Sequence, residues 1–425
     1  MSLRAGIVVT GTEVLTGKVT DRNGPWVSEQ LFEIGCEVAH IVCVGDRPGD
    51  LRNSLDFLRD AGVDLIVTTG GLGPTADDLT AETVARFSGR EMVLDEAMER
   101  RIAEIVAGFA RRMKFDPEGL RDGTRKQAMV PEGATALDPA GTAPGLVVEA
   151  GGPVVIVLPG PPRELQAMWP AAIASAPVAA KLEQAESYAV ETMKMFGIPE
   201  STLAKTLRDI EKDIDLSPLE ITTCLRRGAE LEIDVRYRDG DVALRDRLFT
   251  ALRERHDDFI YTDRGESIDE IVAGLLRGSS IGLGESCTGG LLAARLTELP
   301  GSSDYFRGCA VAYSNDAKAG LLGVDPALIE SAGAVSPEVA EAMARGAIES
   351  FAADVGVGIT GVAGPDGGTD DKPVGYVCIC VVHSDGRILA RDPTLPGRRS
   401  DVRDRSASVA MHMIRRLLMG GELPV

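Results

Sequence analysis

The sequence predicts an α/β protein: two α/β domains joined by a small α+β unit. Three observations predict it. Apolar runs of strand length alternate with helix-patterned segments between residues 5 and 158, and the alternation resumes after residue 263. Between them the half-exposed alternation Glu230-Leu231-Glu232-Ile233-Asp234-Val235-Arg236-Tyr237 breaks the pattern. At 425 residues the chain is also too long for one ordinary core.

In the first part, residues 5–9, 38–44, 64–69 and 153–158 read as strands. The segment from Pro25 to Gly35 has proline near its start and glycine just past its end, a helix signature, and residues 51–61 end at Gly62 in the same way. This β-α-β alternation implies a mainly parallel sheet with helices on both faces. From about Pro170 the pattern changes. Residues 190–196, helix-like 201–211, the alternating strand and helix-like 242–255 make a connector with no convergent polar cluster. A second α/β unit follows, with strands at 280–284, 309–313, 354–359 and 376–382. Its helix-like segments are 268–276, 291–298, 337–351 and 400–418. The domains are therefore placed at 1–170, 171–262 and 263–425, with no internal repeat.

Hydrophobic content of 44% and charged content of 26% are those of a soluble globular protein. A net charge of -20 disfavours nucleic acid and anionic membrane as partners. No apolar run reaches membrane-spanning length, and residues 5–9 are too short for a leader core. Seven cysteines are scattered without metal-type spacing, and Cys378 and Cys380 share one face of a buried strand. Reduced thiols and a cytoplasmic location are expected.

The most informative stretch is Glu285-Ser286-Cys287-Thr288-Gly289-Gly290, between strand 280–284 and helix-like 291–296. It exposes a small nucleophile beside unpaired backbone N–H groups at a helix start. Ligands of open α/β sheets bind outside the carboxyl ends of the strands. Two more motifs fall there: Tyr313-Ser314-Asn315-Asp316-Ala317-Lys318, and Thr360-Gly361-Val362-Ala363-Gly364-Pro365. Ser286 needs activation, and His383 and His412 stand at no predicted strand end. Lys318 is then the candidate base, with an exposed helix lysine as the alternative. Cys287 is the rival nucleophile, or else a small buried residue. Gly289 and Gly290 either present N–H groups to an oxyanion or permit tight packing. Arg399 and Arg403, on one helix face, are candidates for a phosphate or carboxylate, or are solvated charge. Glu285, Thr288, Asn315, Gly361 and Gly364 complete the candidate substrate contacts on these turns.

Glu-Ser-Cys-Thr-Gly-Gly, Ala-Tyr-Ser-Asn-x-x-Lys, Gly-Ala-Val-Ser-Pro-Glu-Val-Ala, Thr-Gly-x-Ala-Gly-Pro and Lys-Pro-Val-Gly-x-Val together resemble the CinA C-terminal, or PncC, family from 263 to about 418. The resemblance implies a nicotinamide-nucleotide amidase, which hydrolyses nicotinamide mononucleotide to nicotinic acid mononucleotide and ammonia with no metal or other cofactor. It carries the nucleophile role onto Ser286 and the base role onto Lys318, with Tyr313 and Thr360 as polar supports. It favours serine over Cys287. Arg398 stands where an acidic residue is more usual in the family.

The first domain repeats the geometry. Gly11-Thr12-Glu13, Gly45-Asp46-Arg47, Gly70-Gly71-Leu72-Gly73-Pro74-Thr75-Ala76-Asp77-Asp78 and Pro159-Gly160-Pro161-Pro162 each follow a strand. The loop with Gly70, Gly71 and Gly73 suits a phosphate. Glu13, Asp46, Asp77 and Asp78 are candidate ligands of a divalent ion. Alternatively, Asp77 or Asp78 caps the helix starting at Leu79. With Asp21-Arg22-Asn23, these motifs resemble the MoaB/Mog-like, molybdopterin-binding fold in its CinA N-terminal version. The resemblance implies either a pyrophosphatase using Mg²⁺, Mn²⁺ or Co²⁺ on ADP-ribose-like substrates, or pterin binding. Phe196-Gly197-Ile198-Pro199-Glu200-Ser201 resembles the family's KH-type connector, with Pro199 in place of the usual glycine. Taken together, these features lead us to expect a homodimer with pyridine-nucleotide and ADP-ribose-like substrates. The contrasting reading is a non-catalytic partner protein in competence or DNA-damage responses.

Overall fold

Valine, isoleucine and leucine make up Val154-Val155-Ile156-Val157-Leu158, and every one is buried, as expected of a strand covered on both faces. The computed structural model describes residues 3–110, 117–183, 188–226 and 228–420. The chain divides into two units, Met1–Val190 and Glu191–Val425.

The first unit contains β1 (Leu3–Thr10), β2 (Cys36–Val44), β3 (Leu65–Thr69), β4 (Met92–Leu94), β5 (Met129–Pro131), β6 (Thr135–Leu137), β7 (Gly145–Glu149) and β8 (Val154–Leu158). Six of these form one sheet in the order β2-β1-β3-β8-β7-β6. The four strands read from the sequence are its parallel part. The antiparallel β7 and β6 were not anticipated, nor was the β4–β5 pair, because these strands are short and lie among turn residues. Successive β1 residues alternate between two cores. Ile7 and Val9 meet Val27, Leu31 and Trp169 on one face, while Val8 meets Leu51, Leu55 and Phe87 on the other. The helices Pro162–Ile173 and Ala176–Leu182 belong to this unit, since Ala172 and Val178 are buried in its core. The unit therefore runs beyond the boundary expected at 170.

In the second unit, β9 (Tyr188–Phe196), β10 (Glu220–Leu225), β11 (Glu230–Arg238) and β12 (Ile260–Thr262) form a sheet in the order β10-β11-β9-β12. The helices Glu200–Ile210 and Val242–His256 accompany it, close to the expected connector elements. A five-stranded sheet follows, built from β13 (Ile281–Glu285), β14 (Phe306–Val311), β15 (Val355–Gly361), β16 (Val377–His383) and β17 (Ile388–Arg391) in the order β14-β13-β15-β16-β17. The first three are parallel, while β16 pairs antiparallel with β15 and β17 pairs antiparallel with β16. Cys378 and Cys380 are core thiols, as their shared face implies. Among the described residues no helix is long and apolar enough to cross a membrane.

What positions this sheet is a stretch of β13 and β15 without side chains on one face. Gly282 pairs with Gly356 and Gly284 with Gly358 across β13 and β15. A Cβ on Gly356 or Gly358 would lie 2.0 Å from the carbonyl oxygen of Ala344 or Ala340 in the helix Pro337–Phe351. The helix thus rests on bare backbone. The opposite face carries Ile281, Leu283, Val355, Val357 and Ile359 against Val402, Met411 and Ile414 of the helix Arg399–Met419. Gly358→Ala is expected to cost about 1–3 kcal/mol of unfolding free energy through overpacking. Gly274→Ala, where an added Cβ meets nothing within 4 Å, should be neutral or stabilising by up to about 1 kcal/mol. Urea unfolding of both variants checks the contrast.

Candidate active site

Parallel strands end on one edge, so β13, β14 and β15 deliver their following residues to a common place. Ser286 follows β13, with its N–H on the Ile359 carbonyl at 2.9 Å. The chain leaves β14 through Ala312 and Tyr313, and Ser314 caps the helix Asn315–Leu322 by accepting from the Ala317 N–H at 3.1 Å. One turn into that helix stands Lys318. Its Nζ lies 3.2 Å from Ser286 Oγ and donates to the Ala312 carbonyl at 3.1 Å.

Lys318 is 2% exposed and Ser286 7%. No carboxylate among the described residues forms an ion pair with Lys318. Burial pushes its ammonium below the ordinary lysine value, and Cys287 opposes this only in part. The alternative of an exposed helix lysine is thereby removed. Cys287 itself lies in the hydrophobic core, its thiol pushed up to about 12, chiefly by burial. A thiol held protonated in that way is a poor nucleophile.

The turn consumes several groups expected to face a substrate. Glu285 is fully buried, and its carboxylate accepts from the N–H groups of Gly290 at 2.9 Å, Leu292 at 3.3 Å and Ala293 at 2.8 Å. It caps the helix Leu291–Leu296 from inside. Gly289 N–H is likewise spent on the Ser286 carbonyl at 3.0 Å. Both glycines therefore shape the turn, with φ of +60° and +92°, and offer no N–H outward. The N–H groups of Cys287 and Thr288 donate to no oxygen among the described residues and approach the Cys287 sulfur. They are the N–H groups of the turn without an oxygen acceptor among the described residues. Thr288 is fully buried, and its hydroxyl has no partner among the described residues.

The arginines close the site by a route the sequence did not reveal. Arg399 donates to the Tyr313 hydroxyl at 2.6 Å and to the Gly364 carbonyl at 2.8 Å, joining two of the strand-end loops. Arg403 donates to the Thr288 carbonyl at 2.8 and 3.3 Å. Tyr313 is 59% exposed, and Asn315 is exposed beside it. Thr360 is buried, with its hydroxyl on the Ala334 carbonyl at 2.7 Å, and Gly361 ends β15 next to it. His383 does end a strand, contrary to expectation. That strand is antiparallel, and His383 pairs with Val355 at the edge away from Ser286. His412 is buried within a helix.

In the first unit the loops also gather at one sheet edge. Gly70 is needed there, since its φ is +99° and a Cβ would lie 2.6 Å from the Thr10 carbonyl oxygen. A cavity of about 250 Å³ is lined by Gly71, Gly73, Asp78, Lys126 and Gln127, among others. The four acids do not fit a resident divalent ion. Asp46 accepts from the Thr12 N–H and hydroxyl at 2.9 and 2.7 Å, and Asp78 accepts from the Thr75 N–H at 2.9 Å. Asp77 sits against the Thr75 hydroxyl, which holds its carboxyl below the usual range. Asp46 and Asp77 line a different recess from Asp78, and Glu13 lines neither. Among the described residues no three His, Cys, Asp or Glu side chains gather to hold a metal. Nor does either acid cap the following helix. Leu79 takes the N-cap of Thr80–Phe87 without a side-chain bond.

The Glu285 cap makes a checkable demand. Glu285→Gln replaces one acceptor oxygen by an N–H₂ group facing backbone donors, and should lower unfolding free energy by about 1–3 kcal/mol. Unchanged stability in urea unfolding would show that the carboxylate does not hold the turn.

Comparison with known proteins accounts for both units. Residues 266–418 match the CinA C-terminal domain, and residues 6–178 match a domain described as "Probable molybdopterin binding domain". A CinA-like protein of Mycobacterium tuberculosis (strain ATCC 25177 / H37Ra) is 56% identical over 425 residues, covering 99% of this chain and 98% of that one. One from Mycobacterium sp. (strain JLS) is 57% identical over 423 residues, covering 99% and 100%. Among solved structures, the competence/damage inducible protein CihA of Agrobacterium tumefaciens is 36% identical over 35% of this chain and 94% of its own, with a TM-score of 0.34. Full-length identity at this level, with both domain matches in order, places the chain in the CinA-like family.

Proposed function

We propose that the second unit is a nicotinamide-nucleotide amidase that converts nicotinamide mononucleotide to nicotinic acid mononucleotide and ammonia through a serine ester. The observation that carries the reading is the 3.2 Å approach of Lys318 Nζ to Ser286 Oγ, with the amine buried and paired with no acid among the described residues. A neutral Lys318 accepts the Ser286 proton as Oγ attacks the carboxamide carbon. The tetrahedral oxyanion faces the Cys287 and Thr288 N–H groups. Lys318 then returns the proton to the departing nitrogen, the C–N bond breaks and ammonia leaves. A water attacks the ester carbon, Lys318 takes its proton and passes it to Oγ, and the acid is released with Ser286 restored. In this reading Arg399 and Arg403 meet the nucleotide phosphate with the N–H groups they do not spend on the loops.

For the first unit we propose binding of a phosphorylated or pterin-type ligand at the Gly71–Lys126 cavity. No metal-dependent cleavage is assigned to it, because its acids do not converge. Release of AMP from ADP-ribose in the presence of Mg²⁺, Mn²⁺ or Co²⁺, abolished by chelator, would restore a pyrophosphatase there.

Ammonia release from nicotinamide mononucleotide tests the amidase. Ser286→Ala should abolish it, and Lys318→Met should lower kcat/KM about 10²–10⁴-fold. Cys287→Ala should retain most activity. The active form of Lys318 is the neutral amine, so kcat/KM should rise with pH through a pKa below that of an ordinary lysine and fall on acidification. Intact deamidation by Ser286→Ala would refute the mechanism.

A further inference from the structure

A second buried cation is left without a counter-charge, and the mechanism does not use it. Arg415 lies on the helix Arg399–Met419 and is 5% exposed. Its guanidinium sits 5.9 Å from the centre of the Tyr261 ring and sends one N–H toward Met419 Sδ at 3.7 Å. Its Nε has no partner, and no carboxylate pairs with it among the described residues. Three residues earlier on the same helix, His412 is fully buried and stacked on Phe196, with ring centres 3.8 Å apart. His412 Nδ1 is also without a partner among the described residues, while Nε2 faces Glu230 Oε1 at 3.5 Å.

Both side chains line one open cavity of about 320 Å³. Phe196 and Phe259 give it aromatic walls, and Arg391 and Arg416 add cationic groups. Two acids also line it: Asp392, which accepts from the Tyr376 hydroxyl at 3.1 Å, and Asp258, whose carbonyl accepts from Arg416. Three arginines against two aspartates leave the lining net positive. Buried charges in proteins are ordinarily paired, because an unmatched one forfeits its hydration with nothing in return. Burial lowers the Arg415 pKa to about 10, with Arg416 adding to the effect. An anion at this point would favour the charged guanidinium and so oppose both contributions.

We propose that this cavity binds a small organic anion, a carboxylate or phosphate carried on a flat apolar body, with Arg415 pairing the charge and Phe259 covering the apolar part. The volume stands at the lower end for small-molecule sites, which run from roughly 300 to 1,000 Å³. That admits a ligand of one ring and one anionic group. None of the residues assigned to the amidase reaction lines the cavity, so it is a separate site.

Isothermal titration of the full-length protein with phenyl phosphate and with benzoate tests the proposal, and their relative affinities identify the preferred anion. At least one should bind, with inorganic phosphate and benzyl alcohol each weaker by about tenfold or more. Arg415→Met should weaken binding by at least about tenfold without lowering the Tm of the ligand-free protein, because it removes an unmatched charge. Val409→Phe, which fills the cavity and keeps Arg415, should also abolish binding, whereas Ser286→Ala should leave it unchanged. The proposal is overturned if neither aromatic anion binds at up to about 10 mM. It is equally overturned if binding persists in both Arg415→Met and Val409→Phe.

Discussion

The burial of one lysine beside one serine, with no acid paired to it among the described residues, is the constraint on which the second unit is organised. An ammonium in that position is disfavoured by lost hydration, and a carboxylate nearby would restore it. The structure supplies the Ser286 hydroxyl and the Ala312 carbonyl instead. The acid next to Ser286 in sequence, Glu285, is spent on three backbone N–H groups. Its carboxylate thereby fixes the nucleophile turn.

This arrangement depends on how closely the sheet and its covering helices approach. The glycines of β13 and β15 let the helix Pro337–Phe351 rest on the strands, while the other face is filled by aliphatic side chains. The ends of β13, β14 and β15 are thus held in register by packing on both sides. The loops that follow are tied by Arg399 and Arg403, which reach from one helix to Tyr313, Gly364 and Thr288. The arginines have a structural duty as well as the proposed one toward the phosphate.

Much of this was legible in the sequence, for a physical reason. Parallel strands put their carboxyl ends on one edge, so the sequence order of strand and polar turn was enough to bring Ser286, Tyr313 and Thr360 together. The family resemblance then marked Lys318 as the candidate base, and its Nζ lies 3.2 Å from Ser286 Oγ. What escaped was the internal use of polar groups. Whether Gly289 and Gly290 offer N–H groups outward depends on where the Glu285 carboxylate folds, and that is a tertiary fact. The same is true of Asp46, which answers Thr12 across 34 residues, and of Asp77 and Asp78, which both answer Thr75 yet line different recesses. The reversed direction of β16, which moves His383 to the far edge, is likewise invisible in an apolar run. The alternating glycines of β13 and β15 were present in the sequence and are the signal that would have revealed the helix seated on them.

The proposed amidase route requires that Ser286, and no other side chain, form a covalent bond to the substrate acyl carbon. Rapid acid quench of the protein turning over nicotinamide mononucleotide, followed by peptide mapping by mass spectrometry, tests it directly. The account predicts a nicotinic acid mononucleotide ester on the peptide carrying Ser286, with fragmentation placing it on that residue. An adduct on Cys287, or turnover that gives neither an adduct after the quench nor the free hydroxamate of the product acid when hydroxylamine is present, would contradict it.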